Sequence, residues 1–224
     1  MPNKRKLLAF ALPMMTFIIL LVLGSLLRKV GGRFWFSASE FWIYPSQTIL
    51  CGAVLVWFWR DYRFERPRHV MFSIGSGIVV WLIWISPQAF FGFYARTSGF
   101  NPDVFAAKPS VYWATVALRF MRLAVVVPVI EEIFWRGLLL RFFINEDFER
   151  VPFGTFSWPS FAIVTVIFGV SHSPPDWPAA LLTGAIYNGV AYRTRSLASC
   201  VLTHAITNLL LGLWIMKTKQ WGFW

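Results

Sequence analysis

A few polar side chains on otherwise apolar stretches have the types and spacing for hydrolysis. Glu131 and Glu132 are adjacent, and Arg136 lies four residues beyond Glu132. On a helix that spacing places Glu132 and Arg136 on one face, in the favourable order for an ion pair. Glu131 is rotated by about 100° from its neighbour and is left to face something else. Phe168-Gly-Val-Ser-His172 ends an apolar run just before Pro174-Pro175, and His204 stands four residues ahead of Asn208 within another. A carboxylate and an imidazole together can orient and deprotonate a water, while a second imidazole and a carboxamide can donate to the oxyanion formed on a peptide carbonyl. Serine chemistry fits poorly: Ser171 and Ser173 flank His172, but there is no G-x-S-x-G elbow. Two histidines and a glutamate also make a competent zinc set. With H-E-x-x-H absent, its ligands would come from separate helices, so spacing alone leaves the zinc alternative open.

Each group also has a plainer alternative. Glu131, Glu132 and Arg136 can be a charged helix end among lipid headgroups, and a lone histidine is more often a packing residue. The chain has only three histidines, however, and apart from His69 in a basic loop they fall at span-level positions. An ionisable group at that depth is costly unless it faces a protein interior or an aqueous cavity.

The elements that must hold these residues are membrane helices. Of the 224 residues 57% are hydrophobic and 14% charged, against roughly 45–50% and about 25% in a soluble domain. So few charges cannot cover a water-soluble globule that also contains 13 Trp and 23 Phe. The net charge of +11 comes from basic clusters between apolar runs, as at Lys4 to Lys6 and Arg60 to Arg68. That is the pattern of headgroup anchors, and no nucleic-acid partner is expected. Cys51 and Cys200 read as buried small hydrophobes.

Apolar runs at 7–27, 41–59, 70–95, 111–143, 153–172, 177–192 and 197–216 predict an all-α polytopic transmembrane bundle of about seven or eight spans. The count depends on whether Pro128 breaks the 111–143 run. The run 177–192 is short and is expected either to have the bilayer thinned around it or to be enclosed by protein. One domain covers 1–224, with membrane helices over 7–95 preceding a core over about 111–213. The heavier basic loading on the side of Lys4 to Lys6 predicts a cytoplasmic N-terminus. Arg119 and Arg122 either orient a carboxylate or phosphate in an opening among the helices, or snorkel to the interface, the reading slightly preferred here.

Glu131-Glu132 with Arg136, Phe168 with His172, and His204 with Asn208, in this order, resemble the motifs of the CAAX-protease and bacteriocin-processing family of intramembrane endopeptidases, which includes the type II CAAX prenyl endopeptidases. The layout also looks like the bacterial CAAX prenyl protease-related group associated with exosortase systems. The resemblance implies Glu131 and His172 as the water-activating pair, His204 and Asn208 as the oxyanion site, and Glu132 with Arg136 in support. It implies a glutamate-dependent reaction with no cofactor, zinc being the alternative. The partners implied are the lipid bilayer and a membrane-tethered protein or peptide substrate, in a bacterial cytoplasmic membrane. The competing classes are a noncatalytic scaffold or immunity protein on the same fold and a proton-coupled transporter, the latter disfavoured by the lack of a repeated half.

Overall fold

The computed structural model describes residues 3–224 and is helical throughout, with no strand among the described residues. Helix α1, Lys4–Val30, is capped by Asn3, whose side chain accepts from the Arg5 amide, and carries Arg28 and Lys29 in its last turn, where cations suit the helix dipole. Helix α2 spans Glu40–Trp57 and α3 spans Val70–Phe90. Helix α4 is composite: Pro109–Met121, a π-helical Arg122–Val126, Val127–Glu132, a π-helical Ile133–Leu139 and Leu140–Phe142 follow without a break. Helices α5 (Trp158–Val170), α6 (Trp177–Thr194) and α7 (Leu197–Thr218) complete the bundle.

By length and composition Lys4–Val30, Val70–Phe90 and Leu197–Thr218 are long and apolar enough to cross a membrane. Large apolar side chains such as Ile19, Val22, Met71, Val79, Val166 and Leu213 are exposed along these and neighbouring helices. Such a surface is stable against lipid tails and not in water.

Pro128 does not divide the fourth run. It sits in the first turn of Val127–Glu132, directly after the π-helical turn, where wider hydrogen-bond spacing accommodates the missing N–H without ending the helix. The run is therefore one continuous helix, which carries Arg119, Arg122, Glu131, Glu132 and Arg136 in sequence.

Helix α4 is central, with contacts to α1, α2 and α7, while α3 lies along α7 and α5 along α6. The core joins Phe10, Met14 and Phe17 of α1 to Cys51 and Leu55 of α2 and to Ile130, Ile133 and Trp135 of α4. Both cysteines are free and buried in that core, as the sequence suggested. Short α6 turns Ala180, Thr183, Tyr187, Asn188 and Ala191 inward. At the starting end of α1, Arg5 and Lys6 bind Asp61 beyond the end of α2, and the Arg5 hydrogen bond holds the Asp61 carboxyl below the usual carboxylate range. At the opposite end, Arg96 pairs with Asp176 at 2.5 Å and Lys219 with Asp103 at 2.7 Å.

Close approach of α3 to α7 rests on Gly77. A Cβ there would sit 2.6 Å from the Thr203 carbonyl oxygen and 3.0 Å from Ile206, and Thr207 Oγ1 donates to the Gly77 carbonyl at 3.0 Å. Gly77→Val should therefore push the helices apart and cost about 1–3 kcal/mol, read as a fall of several degrees in the Tm of detergent-purified protein. Gly75→Ala, at a position with open space around its Cβ, is the control and should leave Tm unchanged within about 1 °C. Equal Tm values for Gly77→Val and wild type would refute the close contact.

Candidate active site

The three groups of polar residues meet inside the bundle. A cavity of about 370 Å³ is lined by Glu131, His172, Tyr187, His204 and Asn208, together with Arg119 and Arg122. A larger cavity of about 520 Å³, near Lys6, Asp61 and Arg141, contains none of these residues. It lies among the basic loops at the starting end of α1 and has no arrangement resembling a reaction centre.

Glu132 and Arg136 are 0% exposed, and their contact reaches 3.1 Å between Oε1 and Nη1. The pair expected from spacing is present through one oxygen, and the same Oε1 also meets Nδ1 of His204 at 2.9 Å. Arg136 spends its other donors on α6, with Nε reaching Asn188 Oδ1 at 3.1 Å and Nη2 the Gly184 carbonyl at 3.3 Å. Asn188 Nδ2 in turn donates to Thr165 Oγ1 of α5. The network thus ties α4, α5, α6 and α7 together around one buried ion pair, whose guanidinium is well partnered while Oε2 of Glu132 makes no hydrogen bond among the described residues. Gly184 permits it: a Cβ there would lie 3.1 Å from Phe168, and Arg136 lies over the Phe168 ring at 4.9 Å.

Rotation about α4 leaves Glu131 on a different face from Glu132, lining the cavity. His172 follows the end of α5, and its Nδ1 is 2.8 Å from the Phe168 carbonyl oxygen. With the Nδ1 proton donated there, Nε2 is the acceptor. The imidazole is bracketed by the rings of Phe168 and Trp84 at 4.9 and 5.7 Å, and Trp84 is itself fixed by donating to Thr183 Oγ1. On α7, the Nδ1 contact to Glu132 and the Tyr187 ring at 5.1 Å orient His204. Asn208 donates from Nδ2 to the Leu123 carbonyl at 2.9 Å. That carbonyl belongs to the first π-helical segment of α4, so the irregular helix supplies an anchor for the amide.

All of the residues singled out by spacing are therefore in or immediately around one site. Less legible were Gln47, whose Oε1 accepts from Arg122 Nε at 2.9 Å, and Thr165 and Thr183. Their signal was polarity within an apolar run, which in threonine is too common to stand out. Arg119 and Arg122 do not snorkel: they are 2% and 7% exposed and lie against aromatic rings at the cavity. Among the described residues, no group of three or more His, Cys, Asp or Glu side chains is placed to hold a metal ion.

A helical bundle with lipid-facing flanks and carboxylate, imidazole and amide groups converging on an interior cavity defines a membrane protein equipped for polar chemistry within the bilayer. Residues 112–210 match the family described as Rce1-like, Type II CAAX prenyl endopeptidase Rce1-like, so that over this segment the chain is similar to that family. The matched segment contains every residue from Glu131 to Asn208 discussed above. No curated protein and no solved structure matches the chain.

Proposed function

We propose that the protein is an intramembrane endopeptidase that hydrolyses a peptide bond in a membrane-tethered protein or peptide, with Glu131 as general base. The observation that carries this reading is the convergence of Glu131, His172, His204 and Asn208 on one cavity. Water held between Glu131 and the acceptor Nε2 of His172 attacks the peptide carbonyl carbon. Its proton passes to Glu131 while the carbonyl π electrons move onto oxygen. His204, carrying protons on both ring nitrogens with Nδ1–H given to Glu132 and Nε2–H turned to the substrate, and the Asn208 amide stabilise that oxyanion. On collapse the C–N bond breaks, the leaving amine takes the proton from the Glu131–His172 pair, and an amine and a carboxylic acid are released, the acid giving its proton to solvent. Glu132 and Arg136 touch no reacting atom and act by positioning His204.

This assignment runs without a metal. The donor set favours it: Glu132 is engaged by Arg136 and His204, and Asn208 is an unusual zinc ligand. The decisive experiment measures metal content and hydrolysis of a tethered fluorogenic peptide on one detergent-purified sample. Activity should survive exhaustive chelation, with zinc well below one per chain. One zinc per active chain, with activity lost on chelation and restored by zinc or cobalt, would replace the base mechanism by a metal-activated one. No turnover of any tethered peptide, with proton-dependent solute uptake in vesicles, would favour the transporter class instead.

A further inference from the structure

Two buried arginines in the cavity are not used by this mechanism. Arg119 is 2% exposed, and none of its three guanidinium nitrogens makes a hydrogen bond among the described residues. It is held by aromatic rings, 4.0 Å from the centroid of Tyr44, 5.1 Å from Phe100 and 5.2 Å from Trp224. Arg122 lies over the same Tyr44 ring at 4.6 Å and over Phe17 at 4.9 Å. Its one hydrogen bond among the described residues is from Nε to Gln47, which is itself fixed by donating to the Phe17 carbonyl at 3.0 Å. The terminal nitrogens of Arg122 are therefore unspent.

A buried guanidinium without an acceptor is costly, and aromatic faces compensate only in part. The remaining charges in the cavity wall specify what is missing. Arg96 is neutralised by Asp176, and Glu131 is the carboxylate whose field reaches Arg122. Among the side chains of the wall, two arginines against Glu131 leave room for one further negative charge. A planar guanidinium with its Nη groups free matches a carboxylate. About 370 Å³ suits a short peptide segment better than a two-chain lipid.

We propose that Arg122, supported by Arg119, forms a carboxylate-binding subsite that selects substrates with a carboxylate close to the scissile bond, either a terminal α-carboxylate or an Asp or Glu side chain. The identity of the ligand as a peptide rests on the peptidase reading; the anion site rests on the arginines. The test uses full-length protein in detergent and four probes: N-acetyl-Leu-Phe-Leu as free acid, the same peptide as C-terminal amide, N-acetyl-Leu-Glu-Leu-amide, and dihexanoylphosphatidylglycerol. Binding is read as Kd and as a shift in Tm. One or both carboxylate peptides should bind at least about tenfold more tightly than the neutral amide, and which does so identifies the carboxylate's source. That preference should vanish in Arg122→Gln and persist, reduced, in Arg122→Lys. Binding of both carboxylate peptides no tighter than the neutral amide, or a preference that survives Arg122→Gln, would overturn the proposal. Binding of the phosphatidylglycerol through Arg122 in place of the acids would assign the site to lipid. If Arg122→Gln does not fold, the acid-to-amide ratio of the wild type still decides. Selective acid binding by a protein that hydrolyses no peptide would sink the protease reading and leave the subsite standing.

Discussion

Glu131→Gln should abolish most hydrolysis of a membrane-tethered peptide while leaving the folded protein intact. A positioned general base contributes about 10²–10⁴ in rate, and glutamine keeps the size of the side chain while removing the lone pair that accepts the water's proton. Glu131 takes no part in the buried Glu132–Arg136–His204 network, so the substitution leaves that network whole. Purified variant should elute with wild type and unfold within a few degrees of it. The loss should be in kcat, because the base acts as the transition state forms. A wild-type kcat with a raised KM would remove Glu131 from the chemistry and leave it balancing the charge of Arg122 across the cavity. Unaltered kcat and KM would defeat both roles.

The same comparison separates two residues that the sequence makes adjacent. Glu132 is consecutive to Glu131 and chemically identical, yet it is fully buried and bound to Arg136 and His204, whereas Glu131 lines the cavity. Helical rotation alone predicted that division, because i,i+4 spacing commits Glu132 to Arg136. Spacing within one helix could not reveal that Glu132 would reach across to His204, 72 positions later, since such a contact depends on how α4 and α7 cross.

That distinction marks what was legible in the chain more generally. Apolar runs of span length gave the helices, because hydrocarbon tolerates no unpaired backbone and leaves helix as the local solution. The composite α4 was less accessible: Pro128 signalled disruption, but π-helical turns before and after it keep the run continuous, and nothing in residue type specifies a π turn over a kink. The cavity-lining polar residues were visible as expensive insertions in apolar sequence. The burial of Arg119 and Arg122 was not, because a long cationic side chain in an apolar run has two outlets, outward to headgroups or inward to aromatic rings. Tyr44, Phe100 and Trp224, which settle the matter for Arg119, come from three separate parts of the chain.

The cavity also has a direction. Arg96, Asp176, Phe223 and Trp224 in its wall follow the C-terminal ends of α3, α5 and α7, opposite the cluster formed by Arg5, Lys6 and Asp61 at the start of α1. If the basic loading of that cluster sets it in the cytoplasm, as the charge bias predicts, the cavity is reached from the other side of the membrane.

Arg136→Ala should be the most destabilising single change in the site. It leaves the Glu132 carboxylate, at 0% exposure, with His204 but without its permanent countercharge, and removes the donors to Asn188 and to the Gly184 carbonyl. Breaking a buried pair in this way costs about 3–5 kcal/mol, because the surviving charge is left without its partner, and a fall of that size in a chain of this length lowers Tm by roughly 6–20 °C. Adding Glu132→Gln to Arg136→Ala removes the stranded charge and should recover part of that loss, so that the double variant is more stable than Arg136→Ala alone. Activity should not recover with it. Without the Glu132 carboxylate, the Nδ1 of His204 loses the charged acceptor that orients the ring, and the oxyanion donor is no longer held toward the cavity. Thermal unfolding and peptide hydrolysis measured on wild type, both single variants and the double variant therefore give two different patterns. Stability should be non-additive, with a favourable coupling between the two substitutions, whereas kcat should remain low in the double variant. If the double variant unfolds below Arg136→Ala, the network is held by contacts other than the ion pair. If it regains wild-type kcat, Glu132 has no part in positioning His204.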